Sequence, residues 1–252
     1  MRYSYNVYAG GFLVVDATLD ITVNESDYRI FVDAKTDGWL GSMVPWLGSF
    51  ETVGVRDGED FRPTKHESIG IWSGEKAVKT YTYEGTDLVS LVIDEHDKPP
   101  ETPEILPELV NNSTDILTAT LMMLRTADEE YSCDFSDHIF DGKRRFLLSY
   151  QDVEPAILRE SSYNIYSGPA RFCTVEITPD GGKWHQKPRG WLNIQEQGRQ
   201  LGDLPSIWVA QHNELHAIPA RIQVRTSYGT LVMHLTNIEQ MPHGEPHSAA
   251  AD

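Results

Sequence analysis

The amino-acid sequence predicts a mainly β protein built on a curved antiparallel sheet. Apolar and polar residues alternate in residues 2–8, 79–83 and 221–225. A period of two places alternate side chains on opposite faces of a sheet, one toward a core and the other toward water. Turn signals separate these segments along the chain, and one segment in the middle has the period of a helix instead.

The N-terminal part of the chain is predicted to be a meander of strands. A long strand over residues 3–23 is expected to bend or bulge at Gly10-Gly11, because glycines inside a strand pattern mark bends. Later strands are separated by the turn dipeptides Asp57-Gly58, Ser73-Gly74 and Glu84-Gly85. These strands are predicted at residues 28–34, 50–56, 61–71, 77–83 and 87–93.

One convincing helix follows an extended surface connection. Residues 98–107 carry four prolines, which remove backbone donors and disfavour helix. Asn112 or Ser113 is expected to cap the helix, and Asp115 lies in its first turn, where a negative charge meets the helix dipole favourably. Its apolar side chains are Ile116, Leu117, Leu121, Met122, Met123 and Leu124.

The apolar face of this helix allows two interpretations. Leu117, Leu121 and Leu124 recur at helical spacing, as expected of a helix that fills the core of a barrel-like sheet. In the second interpretation Leu121 and Met122 contact a ligand, because methionine adapts to irregular apolar partners. The sequence leaves both open.

Most of the remaining β structure is predicted in the C-terminal half. Asp141-Gly142 is expected to be a hairpin turn, because both central positions of the favoured two-residue turn have positive φ. Residues 179–182 and Tyr228-Gly229 are predicted turns as well. Strands are expected at residues 131–140, 146–150, 172–178, 190–195, 206–210, 217–226 and 230–238. We predict a single domain over residues 1–241 and a disordered tail over residues 242–252.

Charge excludes some partners. The chain carries 38 acidic against 21 basic residues, a formal net charge of −17. Its longest basic run, residues 143–145, is too short to neutralise a row of phosphates, so nucleic acids and anionic membranes are poor partners. No run approaches the roughly 18 apolar residues of a transmembrane helix.

The two cysteines bear on the cellular compartment. Cys133 and Cys173 are too few for a zinc site and too far apart for a CxxC redox motif. A disulfide between them would close a loop of about 41 residues and stabilise the fold by about 4 kcal/mol. The alternative is two buried free thiols. A disulfide would favour an oxidising compartment, whereas the lack of a visible signal peptide also fits the cytoplasm.

Two clusters of polar side chains are candidate metal or catalytic sites. On a strand, His212, Glu214 and His216 would share one face and could hold zinc, but a solvated turn explains the same residues. A second, acidic cluster precedes and includes the Asp141-Gly142 turn. Its side chains suit calcium binding or acid–base chemistry, or an ordinary solvated loop, and they are Asp134, Asp137, His138 and Asp141. No phosphate-binding, dinucleotide-binding or nucleophile-elbow motif occurs, so we predict no metal, no cofactor and no catalytic residue.

The segment over residues 39–48 is apolar, contains glycines and has no clear period. Its two tryptophans, Trp39 and Trp46, flank Met43. These side chains either cover the core or form the lip of a site for an apolar ligand. With Leu121 and Met122, they are our candidate ligand-binding residues.

Several motifs of the chain carry a family resemblance. They are Cys133, Cys173 and residues 5–17, 115–119, 140–146, 181–184, 207–208 and 218–221. Together they resemble domain-of-unknown-function family 3108, a group of uncharacterised bacterial cell-envelope proteins, and the likeness spans roughly residues 3–238. The resemblance implies secretion to the periplasm, with a signal peptide removed ahead of Met1. It also implies an open or spiral β-barrel around a helix, akin to periplasmic lipoprotein carriers, and it supplies no catalytic residues.

These observations lead to three hypotheses of function. The first is a non-enzymatic periplasmic protein that binds an apolar or amphiphilic envelope component, such as a lipid, in a concave sheet. The second is a scaffold that binds another envelope protein through a sheet edge. The third is a hydrolase that uses His185, His212 or the acidic cluster.

Overall fold

A computed structural model describes residues 1–129, 131–184, 191–212, 216–226 and 229–240. The strands in these residues are β1 Arg2–Ala9, β2 Phe12–Val23, β3 Asp27–Thr36, β4 Trp46–Asp57, β5 Asp60–Trp72, β6 Glu75–Glu84, β7 Asp87–Glu95, β8 Phe135–Phe140, β9 Arg144–Leu158, β10 Gly168–Gly182, β11 Ser206–Ala210, β12 Ile218–Thr226 and β13 Gly229–Glu239. The helices are α1 Gly38–Met43, α2 Pro107–Val110, α3 Ile116–Glu129 and α4 Trp191–Gln200.

The thirteen described strands form one antiparallel sheet in the spatial order β7-β6-β5-β4-β3-β2-β1-β13-β12-β11-β10-β9-β8. Helix α3 contacts β3, β4 and β5 toward one end of this order and β8 at the other end. A helix can touch both ends only if the sheet curves round it. The sheet is not closed by hydrogen bonds, because β7 and β8 do not pair with each other. The predicted fold class, an open curved barrel round a helix, is therefore confirmed.

The core lies between α3 and the concave face of the sheet. Leu121, Met123 and Leu124 of the helix are completely buried there. They pack in one cluster with sheet residues that include Tyr3, Ile21, Ile30, Ile139, Ile207 and Leu235. The period-two pattern of the sequence thus encodes this concave face, as expected for a sheet with one solvated side.

Side chains and the connection between β7 and α3 cover the gap between the two edge strands. Glu101 pairs with Ile93 of β7, and Thr114 pairs with Ile139 of β8. The Nζ atom of Lys79 also donates to the carbonyl of Asp141 across the gap, at 3.1 Å. A second apolar cluster fills the space between, formed by Tyr81, Tyr83, Leu88, Leu91, Ile93, Val110 and Phe140. Both edge strands are thereby partly protected from pairing with other chains.

One prediction about the N-terminal half was wrong in detail. Gly10 and Gly11 form the hairpin turn between β1 and β2 rather than a bend in one strand, because both have positive φ, 58° and 89°. This is the geometry of the favoured two-residue turn. Residues 39–48, which have no clear period in the sequence, contain most of α1 and the start of β4.

The cap of α3 was also predicted at the wrong residue. Oδ1 of Asp115 accepts the backbone N–H groups of Leu117 and Thr118 at 2.9 and 3.1 Å, so Asp115 is the N-cap. Ser113 instead donates its hydroxyl to the carbonyl of Val110, and Asn112 has a positive φ of 52°.

Corrections in the C-terminal half concern the strand ends and one helix. Residues 179–182 belong to β10, because a bulge at Asp180 keeps the strand paired with β9. The predicted strand at 190–195 is wrong where it is described: α4 begins at Trp191, and its buried positions Gln195 and Gly198 have helical spacing. β8 begins at Phe135, later than predicted. Tyr228 and the predicted tail lie outside the described residues.

Candidate functional site

Strand register creates a recess at one end of the concave face. Residues directly opposite each other on neighbouring strands share a face. The pairs Ala17–Ala34, Ala34–Gly48, Gly48–Gly70 and Gly70–Ala77 align five small residues across five strands. The next aligned row toward the helix is larger and consists of Leu19, Val32, Phe50, Ser68 and Lys79. The concave wall therefore recedes where the small residues lie.

Two tryptophans stand above this row, at the rim of the sheet. Trp46, the first residue of β4, lies directly opposite Trp72, the last residue of β5. The backbone N–H of Trp46 donates to the Thr36 hydroxyl at 2.9 Å, which fixes the start of β4. The Trp46 ring covers Gly48, since a Cβ atom there would lie 2.5 Å from its Cζ2. Trp72 is 57% exposed.

A groove of about 590 Å³ lies between these tryptophans and the edge of the sheet. A Cβ atom built on Gly70 would meet no atom within 4 Å, so the floor of the groove is open. The described lining is Trp46, Gly70, Ile71, Trp72, Glu75, Lys76, Ala77, Glu95, His96, Asp97 and Lys98. We call this cavity the Trp46–Trp72 groove.

The far wall of the Trp46–Trp72 groove is charged. Lys98 donates to Glu95 at 2.6 Å. This hydrogen bond lowers the pKa of Glu95 and raises the pKa of Lys98. His96 lies 3.4 Å from Asp97. The groove thus combines an apolar end with a polar wall that contains the Lys98–Glu95 ion pair.

A buried polar network lies deeper in the barrel. The Thr52 hydroxyl donates to Asp115 at 2.6 Å and contacts Nδ1 of His66 at 2.8 Å. Thr118 donates to the other Asp115 oxygen, and its hydroxyl also contacts the Tyr28 hydroxyl. Burial lowers the pKa of His66, against the opposing charge of Asp115, and burial raises the pKa of Tyr28. This network ties α3 to β3, β4 and β5, so it serves the fold.

The predicted ligand-binding residues are not brought to one place. Trp46 lines the groove, Met43 is 72% exposed on α1, and the side chain of Trp39 lies outside the description. Helix α3 starts beside Thr52 and runs away from the groove toward the β4–β5 turn, where Arg125 meets Glu59. Leu121 is therefore completely buried in the core, and Met122 packs partly against it.

The side chains of the predicted acidic cluster form hydrogen bonds and ion pairs within turns and loops. Asp141 accepts the backbone N–H of Arg144 at 2.9 Å, and Asp134 accepts that of Asp152 at 2.8 Å. His138 faces Asp180 at 3.2 Å, and Asp137 accepts the N–H of His138. Of the residues predicted as a possible zinc site, His212 packs edge-on against Tyr3 and His216 is buried nearby. Glu214 of the same set lies outside the described residues, as does His185.

The cysteines form the predicted disulfide, with Cα atoms 6.4 Å apart. Both are completely buried. Asp152 accepts the backbone N–H of Cys133 and a hydrogen bond from Nε of Arg171 at 2.7 Å. Within the described part of the chain, these cysteines and Asp152 are the one group with metal-ligand spacing, and the bonded sulfurs are not free to ligate. Such a disulfide is typical of proteins outside the reducing cytosol.

Comparison with known proteins identifies the family. The family model described as protein of unknown function, DUF3108, matches residues 4–236. The chain belongs to DUF3108. This confirms the resemblance seen in the sequence, and the family brings no assigned activity.

Further comparisons add little about function for this DUF3108 protein. A solved β-barrel-like protein of domain of unknown function DUF1849 from Brucella abortus is similar at 8% identity and a TM-score of 0.49, over 93% of this chain and 94% of that chain. No curated protein matches the chain. No described helix is long and apolar enough to cross a membrane.

Sequence reasoning missed most of the groove. Trp72 precedes the predicted Ser73-Gly74 turn, so its position at a rim was readable from the sequence. Its position opposite Trp46 was not, because register is set by the paired strands together. The same applies to Gly70 of this DUF3108 chain, which lies opposite Gly48 because the register shifts between Val53 and Gly54.

Proposed function

We propose that the protein is a non-enzymatic periplasmic protein that binds an apolar or amphiphilic component of the cell envelope in the Trp46–Trp72 groove. The observation that carries this proposal is the open floor at Gly70 beneath two tryptophans at a barrel rim. The volume of about 590 Å³ falls within the usual range of small-ligand sites. Apolar or aromatic walls with a few polar groups at one side suit an amphiphile.

The chemistry of the groove supports binding rather than catalysis. None of its described lining residues is Ser, Thr or Cys, the usual nucleophiles of acyl transfer. The acidic cluster lies elsewhere, and its described side chains already stabilise turns and loops. The periplasm is supported by the disulfide, which persists in oxidising compartments.

The scaffold hypothesis has weaker support. A partner that adds a strand needs a free sheet edge. Backbone groups of Ile93 on β7 and His138 on β8 already pair with residues of the connection between these strands. This leaves shorter lengths of each edge for a partner.

Ligand binding is tested with a fluorescent apolar probe and one graded pair of variants. We expect N-phenyl-1-naphthylamine to bind wild type and Gly70→Ala, because a single methyl group leaves most of the volume free. Gly70→Leu should abolish binding, since its side chain fills the floor. Both variants should unfold at wild-type urea concentrations, because the site of the added side chain is empty. Probe binding to Gly70→Leu with wild-type affinity would place the site elsewhere. Native mass spectrometry after detergent-free purification should reveal a co-purified ligand.

A further inference from the structure

The wall of the Trp46–Trp72 groove carries a carboxylate beside the aromatic rings. We propose that the groove recognises an alkylammonium group, as in the headgroup of a cationic or zwitterionic amphiphile. This inference rests on the proposed function and specifies the chemical class of its ligand. It depends on three observations: the placement of rings and carboxylates, the pairing of the charges, and the overall charge.

Strand register places the rings and carboxylates on the same face. Trp46 pairs with Trp72, and Trp72 pairs in turn with Glu75. Two residues further along β6, Ala77 pairs with Glu95 of β7. Directly opposite residues share a face, and so do residues two apart on one strand. Two indole rings and two carboxylates therefore border one cavity, and its floor is the row of small residues that includes Gly70 and Ala77.

The two carboxylates differ in their partners. Glu95 is paired with Lys98 at 2.6 Å. Glu75 is exposed and forms no hydrogen bond or direct ion pair with any described residue, although its charge contributes to the raised pKa of Lys98. The lining as a whole has three carboxylates, on Glu75, Glu95 and Asp97, against two ammonium groups, on Lys76 and Lys98. The lining therefore has a formal excess of one negative charge, and Glu75 places a carboxylate without a direct ion pair next to the rings.

Tryptophan faces attract cations, because the ring quadrupole is negative above and below the plane. Alkylammonium groups combine a diffuse positive charge with apolar surface, which matches two indoles above a floor of Gly70 and Ala77. An anionic headgroup would meet the carboxylate of Glu75 and a chain of net charge −17. Charge complementarity thus selects the cation over the anion.

The test compares probes that share one alkyl chain and differ in the headgroup. Decyltrimethylammonium, decanol and decyl sulfate are titrated into the full chain below micelle-forming concentrations, with affinity measured by displacement of N-phenyl-1-naphthylamine. We expect the cation to bind about tenfold more tightly than decanol, and decyl sulfate to bind most weakly. Free tetramethylammonium should bind far more weakly than the decyl cation if the ligand is an amphiphile rather than a small osmolyte.

Two charge-removing variants locate the effect. Glu75→Gln should lose most of the preference for the cation and keep the affinity for decanol. Glu84→Gln removes the same charge at the other end of β6 and should retain the wild-type preference. Trp72→Phe should weaken cation binding more than decanol binding, because phenylalanine is the weaker cation–π partner.

The outcomes separate the two proposals. Equal affinities of wild type for all three decyl probes, or a cation preference lost equally in Glu84→Gln, would overturn alkylammonium recognition while the proposed function stands. Tighter binding of decyl sulfate would do the same. Failure of wild type to bind any of the three decyl probes would overturn the proposed function as well.

Discussion

The Thr52 hydroxyl donates to Oδ1 of Asp115 at 2.6 Å, which joins the middle of β4 to the start of α3. The same oxygen accepts the backbone N–H groups of the first helical turn. Asp115 and Thr52 are at most 2% exposed. One buried carboxylate thus both caps the helix and anchors it to the sheet.

Asp115→Ala should therefore lower the free energy of unfolding strongly. The variant loses a helix cap and leaves the hydroxyls of Thr52 and Thr118 buried without their acceptor, a combined cost of roughly 3 kcal/mol. Urea titration followed by circular dichroism measures this cost. Asp94→Ala, an exposed acidic residue of β7, is the matched control and should stay within about 0.5 kcal/mol of wild type. A loss below about 1 kcal/mol for Asp115→Ala would contradict the anchoring role.

Acidification should destabilise the protein through buried histidines. Burial lowers the pKa of His216 from 6.5 to about 4. Between these values the unfolded chain binds a proton that the folded chain does not, so stability is complete above pH 6.5 and falls as the pH drops toward 4. The shift corresponds to roughly 3 kcal/mol. Burial also lowers the pKa of His66, which adds a change of the same sign.

Urea titrations at several pH values between 4 and 7.5 test this dependence. His216→Phe should show a shallower loss of stability on acidification, because the titrating ring is gone. His96→Gln, which replaces an exposed imidazole outside the core, should keep the wild-type profile. An unchanged slope in His216→Phe would show that other groups cause the acid sensitivity.

The disulfide should account for a large part of the stability. It closes a loop between residues 40 positions apart, for which the chain-entropy model gives about 4 kcal/mol. We expect the double variant Cys133→Ala, Cys173→Ala to unfold at a much lower urea concentration than wild type. Addition of reductant should lower the urea concentration at which wild type unfolds and should leave that of the double variant unchanged. If reductant weakens the double variant equally, the effect does not come from this bond.

Substitution by alanine should have different effects on the free energy of unfolding at two glycines of neighbouring strands. A Cβ atom at Gly54 would lie 2.3 Å from the Arg62 carbonyl oxygen and 2.4 Å from the Tyr28 ring. Gly54→Ala should therefore destabilise the fold by roughly 2–3 kcal/mol, because backbone cannot move aside cheaply. Gly70→Ala meets nothing within 4 Å and should be neutral or slightly stabilising. Paired urea titrations check both, and equal behaviour would contradict the geometry.

The sequence was most informative where strand period and turn chemistry agree. The strands from β3 to β7 follow alternating patterns, and Gly58, Gly74 and Gly85 mark their turns with positive φ. These signals are local, so a single sequence contains them. The disulfide was predicted beside the alternative of two free thiols, since a pair of cysteines does not by itself reveal whether the fold brings them together.

The rest depended on contacts between distant residues. The stretch 151–155, with two acidic residues and a proline, hides the length of β9, which pairing with β10 determines. Gln195 reads as a polar strand or loop residue, yet its side chain bonds both backbone groups of Ile177 from within α4. The groove is missed for the same reason, because alignment of Gly48, Gly70 and Ala77 needs the register of three strands.

The pairing of β1 with β13 has a consequence for how the chain assembles. Arg2 lies opposite Glu239, and nearly the whole length of the chain separates them. The meander from β1 to β7 can form without the C-terminal half, but the free edge of β1 stays unpaired until β13 joins it. An unpaired edge strand can form hydrogen bonds with other unfolded chains and so promote aggregation. The partly folded state that lacks β13 is therefore the state of this protein with the longest exposed strand edge.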